Sequence, residues 1–267
     1  MDDLYVTIAT FTIKITFKDI TDDDAARSHR SEFITNMSEY FEGFEEKDEI
    51  KKVNFYIDFE WRDNVEILIQ TKRRKFFTEI FTFASKKRIR TFYDLNTSQL
   101  ELIIRDVIQS LLSKSSGFLL HASSVIVNNT AYLFMGDAGA GKSTSMSLLR
   151  DVYKPLSDDI LIVKKEKGTY FLYESPFIEK NYTGRKRGER YKVGKIFFIH
   201  KAKIFNIKKI SDRTQVVEKI AKQIFTSKED ITTQMKYLLE FVEYSQEFYN
   251  LYFAKDKQKM IELISKT

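Results

Sequence analysis

Cysteine is absent from this sequence. Its absence excludes disulfides, thiolate zinc sites and cysteine nucleophiles, and it fits a reducing compartment, with the cytoplasm as the default expectation. Proline occurs only twice and glycine nine times in 267 residues, so collagen-like, proline-rich and flexible-linker architectures are excluded as well. No apolar run approaches the roughly 18 residues that span a bilayer. The chain opens on Met1-Asp2-Asp3, with acid where a secretory signal carries base. We therefore expect no membrane segment and no targeting leader. What is plentiful is aromatic side chain, 23 Phe and 14 Tyr, in a chain long enough for one large or two modest domains with a substantial core.

The formal net charge of +6 conceals an asymmetry. Residues 1 to 60 carry 15 Asp and Glu against 7 Lys and Arg, which leaves the remainder strongly basic. A basic remainder is compatible with nucleic acid, but a phosphate site and an acidic substrate account for it equally well, and no nucleic-acid partner is expected.

Along the chain, residues 5 to 17 alternate with period two and predict strands. Residues 19 to 49 are acidic, and Asp22-Asp23-Asp24 reads as an exposed loop because no further metal ligands stand near it at a known spacing. Four alternating segments between residues 53 and 92, separated by basic turns, predict an antiparallel meander. Ser98-Gln99-Leu100-Glu101 fits a capping box, and Leu100, Ile104, Val107, Ile108, Leu111 and Leu112 follow on one helical face. That helix predicts a boundary between a β-rich domain over 1–115 and a second domain over 116–267. In the second domain the expected order is a strand over 118–127, a tight Asn128-Asn129 turn and a partner strand over 130–135. A loop and helix come next, then a hairpin about Lys167-Gly168, a basic loop over 180–195, two strands, two helices, a strand over 248–253 and a terminal helix.

The sharpest signal lies at the centre of that domain. Gly136-Asp137-Ala138-Gly139-Ala140-Gly141-Lys142-Ser143 satisfies G-x-x-x-x-G-K-[ST], with a buried strand before it and helix formers from Ser143 to Arg150 after it. The glycines let backbone N–H groups turn in around phosphate oxygens, the lysine reaches the β- and γ-phosphates, and the serine hydroxyl serves Mg²⁺. The following helix N-terminus, with Thr144, favours the same anion. ATP and Mg²⁺ are thus the expected cofactors, although no N-K-x-D segment decides the base. Asp158 and Asp159 are the acidic pair that chain order places near the loop, and on an extended backbone their side chains would face opposite ways, one toward Mg²⁺ and one toward an acceptor. His121, in Leu120-His121-Ala122-Ser123, reads by itself as a core histidine satisfied by a hydrogen bond.

Taken together, Leu120-His121-Ala122-Ser123, the Gly136–Ser143 loop and Ser157-Asp158-Asp159 resemble the HPr kinase/phosphorylase family and its shorter relatives, including the HPr-kinase-like peptide kinases of lasso-peptide biosynthesis. The resemblance covers roughly residues 117 to 267. It implies an α/β (α+β) fold of the phosphoenolpyruvate-carboxykinase type and ATP-dependent phosphorylation of a serine hydroxyl in a small protein or peptide. It further implies that Asp158 is the catalytic base, that Asp159 binds metal with Ser143, and that His121 lies near the transferred phosphate. Glu179 corresponds loosely to another metal-binding carboxylate of the family. Thr144 stands where the bifunctional members carry Glu, and no R-G-x-G-I segment is present, which counts against a reverse, phosphorylase reaction. Residues 1–115 match nothing in that family, and self-association is left open. The alternatives are a nucleotide-dependent switch or binding ATPase and a small-metabolite kinase.

Overall fold

The computed structural model describes residues 2–19, 24–46, 52–61, 67–70, 75–78, 80–177, 186–225 and 231–267. The chain divides into two compact units, residues 1–111 and Leu112–Thr267. Among the described residues no helix is long and apolar enough to cross a membrane.

In the first unit, β1 (Asp2–Ile8) and β2 (Phe11–Phe17) form a hairpin, followed by α1 (Asp24–Tyr40) and β3 (Phe55–Glu60). Next come the paired strands β4 (Ile67–Gln70) and β5 (Lys75–Thr78), then β6 (Phe81–Ser85), β7 (Arg88–Phe92) and α2 (Thr97–Leu112). The main sheet runs β1-β2-β3-β7-β6, and β3 is parallel to both β2 and β7. The expected meander is therefore corrected: alternation reports that a strand has one buried face, and it is silent about which neighbour the strand pairs with.

Of the expected acidic loop, Asp22 and Asp23 lie outside the described residues and Asp24 is the exposed first residue of α1, a helix that the acidic sequence does not announce. Its core stripe is narrow, Ala26, Phe33 and Met37, and the stripe position between them is Arg30, which donates to the carbonyls of Phe17 (2.8 Å) and Lys18 (3.1 Å). Phe33 completes the seam by packing on Phe17, Phe59 and Tyr93. The cap of α2 is also shifted from its expected place. Asn96 N–H donates to Gln99 Oε1 (2.9 Å) and Gln99 N–H to Asn96 Oδ1 (3.0 Å), a reciprocal box two residues before Ser98.

The second unit holds β8 (Gly117–His121), β9 (Ser123–Val127), β10 (Thr130–Met135), α3 (Lys142–Leu149), β11 (Lys154–Ser157), β12 (Ile160–Glu166) and β13 (Thr169–Tyr173). It continues through β14 (Arg190–Lys201), β15 (Asn206–Lys209), α4 (Arg213–Ala221), β16 (Ile224–Phe225), α5 (Ile231–Tyr244), β17 (Phe248–Phe253) and α6 (Lys257–Ser265). Its ten strands run β11-β9-β10-β14-β13-β12-β8-β16, with β17 joined to β14 and β15. The whole is a mixed α+β architecture.

Strand β14 organises this unit. It lies parallel to β10 from Lys192 to Phe198, while its first residues pair with β13 and its last six with β17. Alternate side chains enter two cores. Leu133, Met135, Ile196 and Phe198 pack with α4 and α5 residues such as Val216, Ile220 and Phe241, whereas Phe134, Phe197, Ile199 and Phe253 pack with Met146 of α3 and Met260 of α6. Residues 190–195, expected as loop, are thus strand, because β10 and β13 supply partners that the charged sequence does not announce.

The expected single strand over 118–127 is two strands. It breaks at Ala122, where β8 leaves to pair with β12 and β16 while β9 turns to β10 and β11. The two halves of the 156–164 segment separate likewise, with Asp158 and Asp159 at the bend between β11 and β12. The β12–β13 hairpin turns at Lys167 and Gly168, both with positive φ, as the local sequence predicts.

At the start of β8, Gly117 leaves no room for a side chain. A Cβ there would lie 2.5 Å from Leu112 Cδ2 and 2.8 Å from the Val163 carbonyl oxygen. Since backbone cannot yield as a side chain does, Gly117→Ala should cost about 1–3 kcal/mol of stability, read as a lower urea midpoint at unchanged slope. A midpoint equal to that of the natural protein would contradict this packing.

Candidate functional site

The loop over residues 136–143 is shaped by its glycines in two ways. At Gly136 a Cβ would meet Ala140 Cβ at 2.9 Å and Ile199 Cγ1 at 3.0 Å, so close approach to β14 demands its absence. Gly141, the residue before α3, has φ 111° and ψ 25°, a left-handed conformation that side-chain-bearing residues adopt at a cost. The loop then closes on itself, with Ala140 N–H donating to the Asp137 carbonyl (3.0 Å) and Ser145 N–H to that of Gly141 (2.8 Å).

Lys142 lies almost wholly buried in the first turn of α3. Its Nζ donates to the carbonyls of Gly136 (2.8 Å) and Asp137 (3.4 Å). Burial pulls the ammonium below the ordinary lysine value, and Asp159, Asp137 and Asp158 pull it back up. Two neutral carbonyls are modest partners for a desolvated cation; a phosphate oxygen would be a stronger one. Ser143 and Thr144 follow on the same turn, Ser143 exposed. Behind them the buried hydroxyl of Ser123 donates to the Lys142 carbonyl (2.9 Å), tying β9 to the root of the loop.

Pairing of β8 with β12 brings the other expected residues together. Ala122 N–H donates to the Asp159 carbonyl (3.1 Å), and His121 Nε2 lies 3.1 Å from Asp159 Oδ1. Burial holds the His121 imidazole below the ordinary histidine value, helped by Lys142 and opposed by Asp159 and Asp158. A neutral ring meets a carboxylate as a donor, so the proton belongs on Nε2. Asp158 is buried and its charge acts on both His121 and Lys142, whereas the Asp159 side chain is 63% exposed. The two carboxylates thus differ in environment, on a backbone that bends between them rather than running extended.

Gln223, just beyond α4, was not legible as a site residue. Its carbonyl accepts from His121 N–H (2.7 Å), and in the orientation that satisfies both ends its side-chain amide donates to the carbonyls of His121 (3.2 Å) and Gly136 (3.3 Å). It links the histidine strand to the first residue of the loop. Nothing in the surrounding sequence signals that role, because it depends on β16 pairing with β8.

The expected oxygen donors suit Mg²⁺ held jointly with phosphate. Ser143 offers an exposed hydroxyl and Asp159 an exposed carboxylate, hard ligands of the kind that complete a shell with nucleotide oxygens and water. Among the described residues no cluster of three or more His, Asp or Glu side chains could hold a metal alone. Glu179 lies outside the described residues, as do Lys180 and Arg185 of the basic loop. In the rest of that loop the side chains of Lys186 and Arg190 have partners, and Arg187 is held through its backbone N–H. Lys186 donates to the Phe177 carbonyl, Arg190 to Glu166 and Tyr173, and buried Glu174 accepts from Arg187 N–H (2.8 Å) and Glu189 N–H (3.1 Å).

A family model described as "SynChlorMet cassette protein ScmC" matches residues 90–242, a span that includes His121, the loop, the paired aspartates and α4. Among curated proteins there is no match. Among solved structures, the Hpr(Ser) kinase/phosphatase from Coxiella burnetii is 11% identical, covering 55% of this chain and 91% of that one, with a TM-score of 0.27.

Proposed function

Within the SynChlorMet cassette protein ScmC family, to which this chain belongs, we propose that it acts as an ATP-dependent kinase of a hydroxyl group, a serine of a small protein or peptide. The observation that carries the reading is a phosphate-type loop whose buried Lys142 donates to the Gly136 carbonyl (2.8 Å), together with the pairing of the Asp158–Asp159 bend to the histidine strand, where His121 Nε2 lies 3.1 Å from Asp159 Oδ1. Phosphoryl transfer asks a protein for placement, charge neutralisation and a proton acceptor. Lys142 and the N–H groups at the start of α3 hold the terminal phosphates. Asp158 takes the acceptor proton as the acceptor oxygen bonds to the γ-phosphorus and the bond from that phosphorus to the β–γ bridging oxygen breaks, with ADP leaving. His121, neutral and donating to Asp159, keeps that carboxylate turned outward, where with Ser143 it would hold Mg²⁺. When bound, the ion supplies neutralisation of phosphate charge.

The test is intact-mass analysis of cellular peptides and small proteins incubated with the protein, ATP and Mg²⁺. A gain of one phosphate on a discrete acceptor is expected. Phosphate released to water in step with ATP consumed, with no acceptor modified, would replace this reading with a nucleotide-driven switch.

A further inference from the structure

Beside the loop lies a cavity of 520 Å³, within the range of small-ligand sites. Gly136 and Asp137 form one wall, the end of β14 a second, and α4 with Gln223 a third. Lys142 Nζ touches the carbonyls of Gly136 and Asp137, and in loops of this kind the lysine serves the β- and γ-phosphates. By its contact with Gly136 and Asp137, the cavity begins at the terminal-phosphate end of the loop. Gln223 is shared with His121, to whose strand it is hydrogen-bonded on the other side. A molecule in this space would lie next to the phosphate that leaves.

Its walls carry Lys201, Lys219 and Lys222 against Glu218 and Asp137, with Phe198 and Ile199 supplying apolar surface. The partners of the lysines are weak. Lys219 Nζ donates to the amide oxygen of Asn250 at 3.4 Å and lies over the Phe198 ring at 5.2 Å. Lys201 and Lys222 have no carboxylate within salt-bridge distance among the described residues, and the Lys201 stem passes beside Gly141. Burial holds Lys219 below the ordinary lysine value, with Lys222 adding to the effect and Asp137 opposing it. An incoming anion would relieve that cost.

The geometry points to this cavity as the acceptor subsite, taking an acidic peptide segment whose carboxylates meet Lys219 and Lys222 while an adjacent serine hydroxyl sits at the end walled by Gln223 and Gly136. The assignment rests on the kinase reading and gives its acceptor a chemical class. It places acceptor recognition at α4.

The experiment reads binding without phosphate transfer. Fluorescence anisotropy is measured on the full chain with ADP and Mg²⁺, using a labelled hexapeptide with two aspartates beside its serine and a counterpart with asparagines. The acidic peptide should bind at least about tenfold more tightly, the scale of one charge-assisted hydrogen bond. The Lys219→Gln, Lys222→Gln double variant should lose that preference, and Lys222→Glu should favour a dilysine peptide, with affinity for a fluorescent ATP analogue held within about twofold. Equal binding of the two peptides to the natural protein would overturn the assignment, as would loss of ATP-analogue binding in the variants with peptide selectivity intact. Because no transfer is read, these failures are separate from absence of a phosphorylated product in the mass assay, which refutes the kinase reading itself.

Discussion

Lys142→Ala is expected to lower the rate of phosphate transfer by about 10²–10³-fold, the scale on which removal of one preorganised charge stabiliser acts. The ammonium is buried, and its partners in the loop are the carbonyls of Gly136 and Asp137. In the proposed reaction the terminal phosphates are its stronger partner. In that reaction this lysine contacts phosphate both before and during transfer, so nucleotide affinity should fall too, by about tenfold. Lys142→Met keeps most of the stem and should behave like the alanine variant in rate while unfolding closer to the natural protein. A methionine variant with near-natural turnover would show that the charge is structural, serving only to close the loop on its own carbonyls.

Asp158→Asn should separate binding from chemistry. The substitution keeps the shape of the side chain and removes its capacity to take a proton, so a fluorescent ATP analogue should bind within a few-fold of the natural affinity. Transfer, in contrast, should drop by about 10²–10⁴-fold, the range for general-base contributions. If Asp158 is only a buried polar group of the bend between β11 and β12, the variant will instead lose thermal stability while its residual folded fraction turns over at the natural rate, and the assignment of the base fails.

Where local chemistry was decisive, the structure could be read from the residues. The Asn128-Asn129 and Lys167-Gly168 turns, α5 over Ile231–Tyr244 and β17 over Phe248–Phe253 stand where period and turn residues place them. The exceptions share one cause. The break at Ala122, the extension of β14 back to Arg190 and the parallel placement of β3 are decisions about partners, and partner choice leaves no period in a single strand. Helix α1 was hidden for a related reason, because an arginine that satisfies two strand carbonyls occupies its core stripe. The capping box was misplaced since Ser98-x-x-Glu101 and Asn96-x-x-Gln99 are equally good local patterns; the backbone begins its helix at the earlier one.

The candidate site divides in the same way. The residues from Gly136 to Ser143 could be identified without a fold, because a phosphate-type loop is a local backbone shape with its own glycine and lysine requirements. The contact of His121 with Asp159, the bridge from Gln223 to Gly136 and the three-lysine cavity exist only after β8 pairs with β12 and β16 and α4 packs against β14. Residues that lie up to about a hundred positions apart are brought together by hydrogen-bonded register and core packing, and these depend on the whole second unit rather than on any stretch of its sequence.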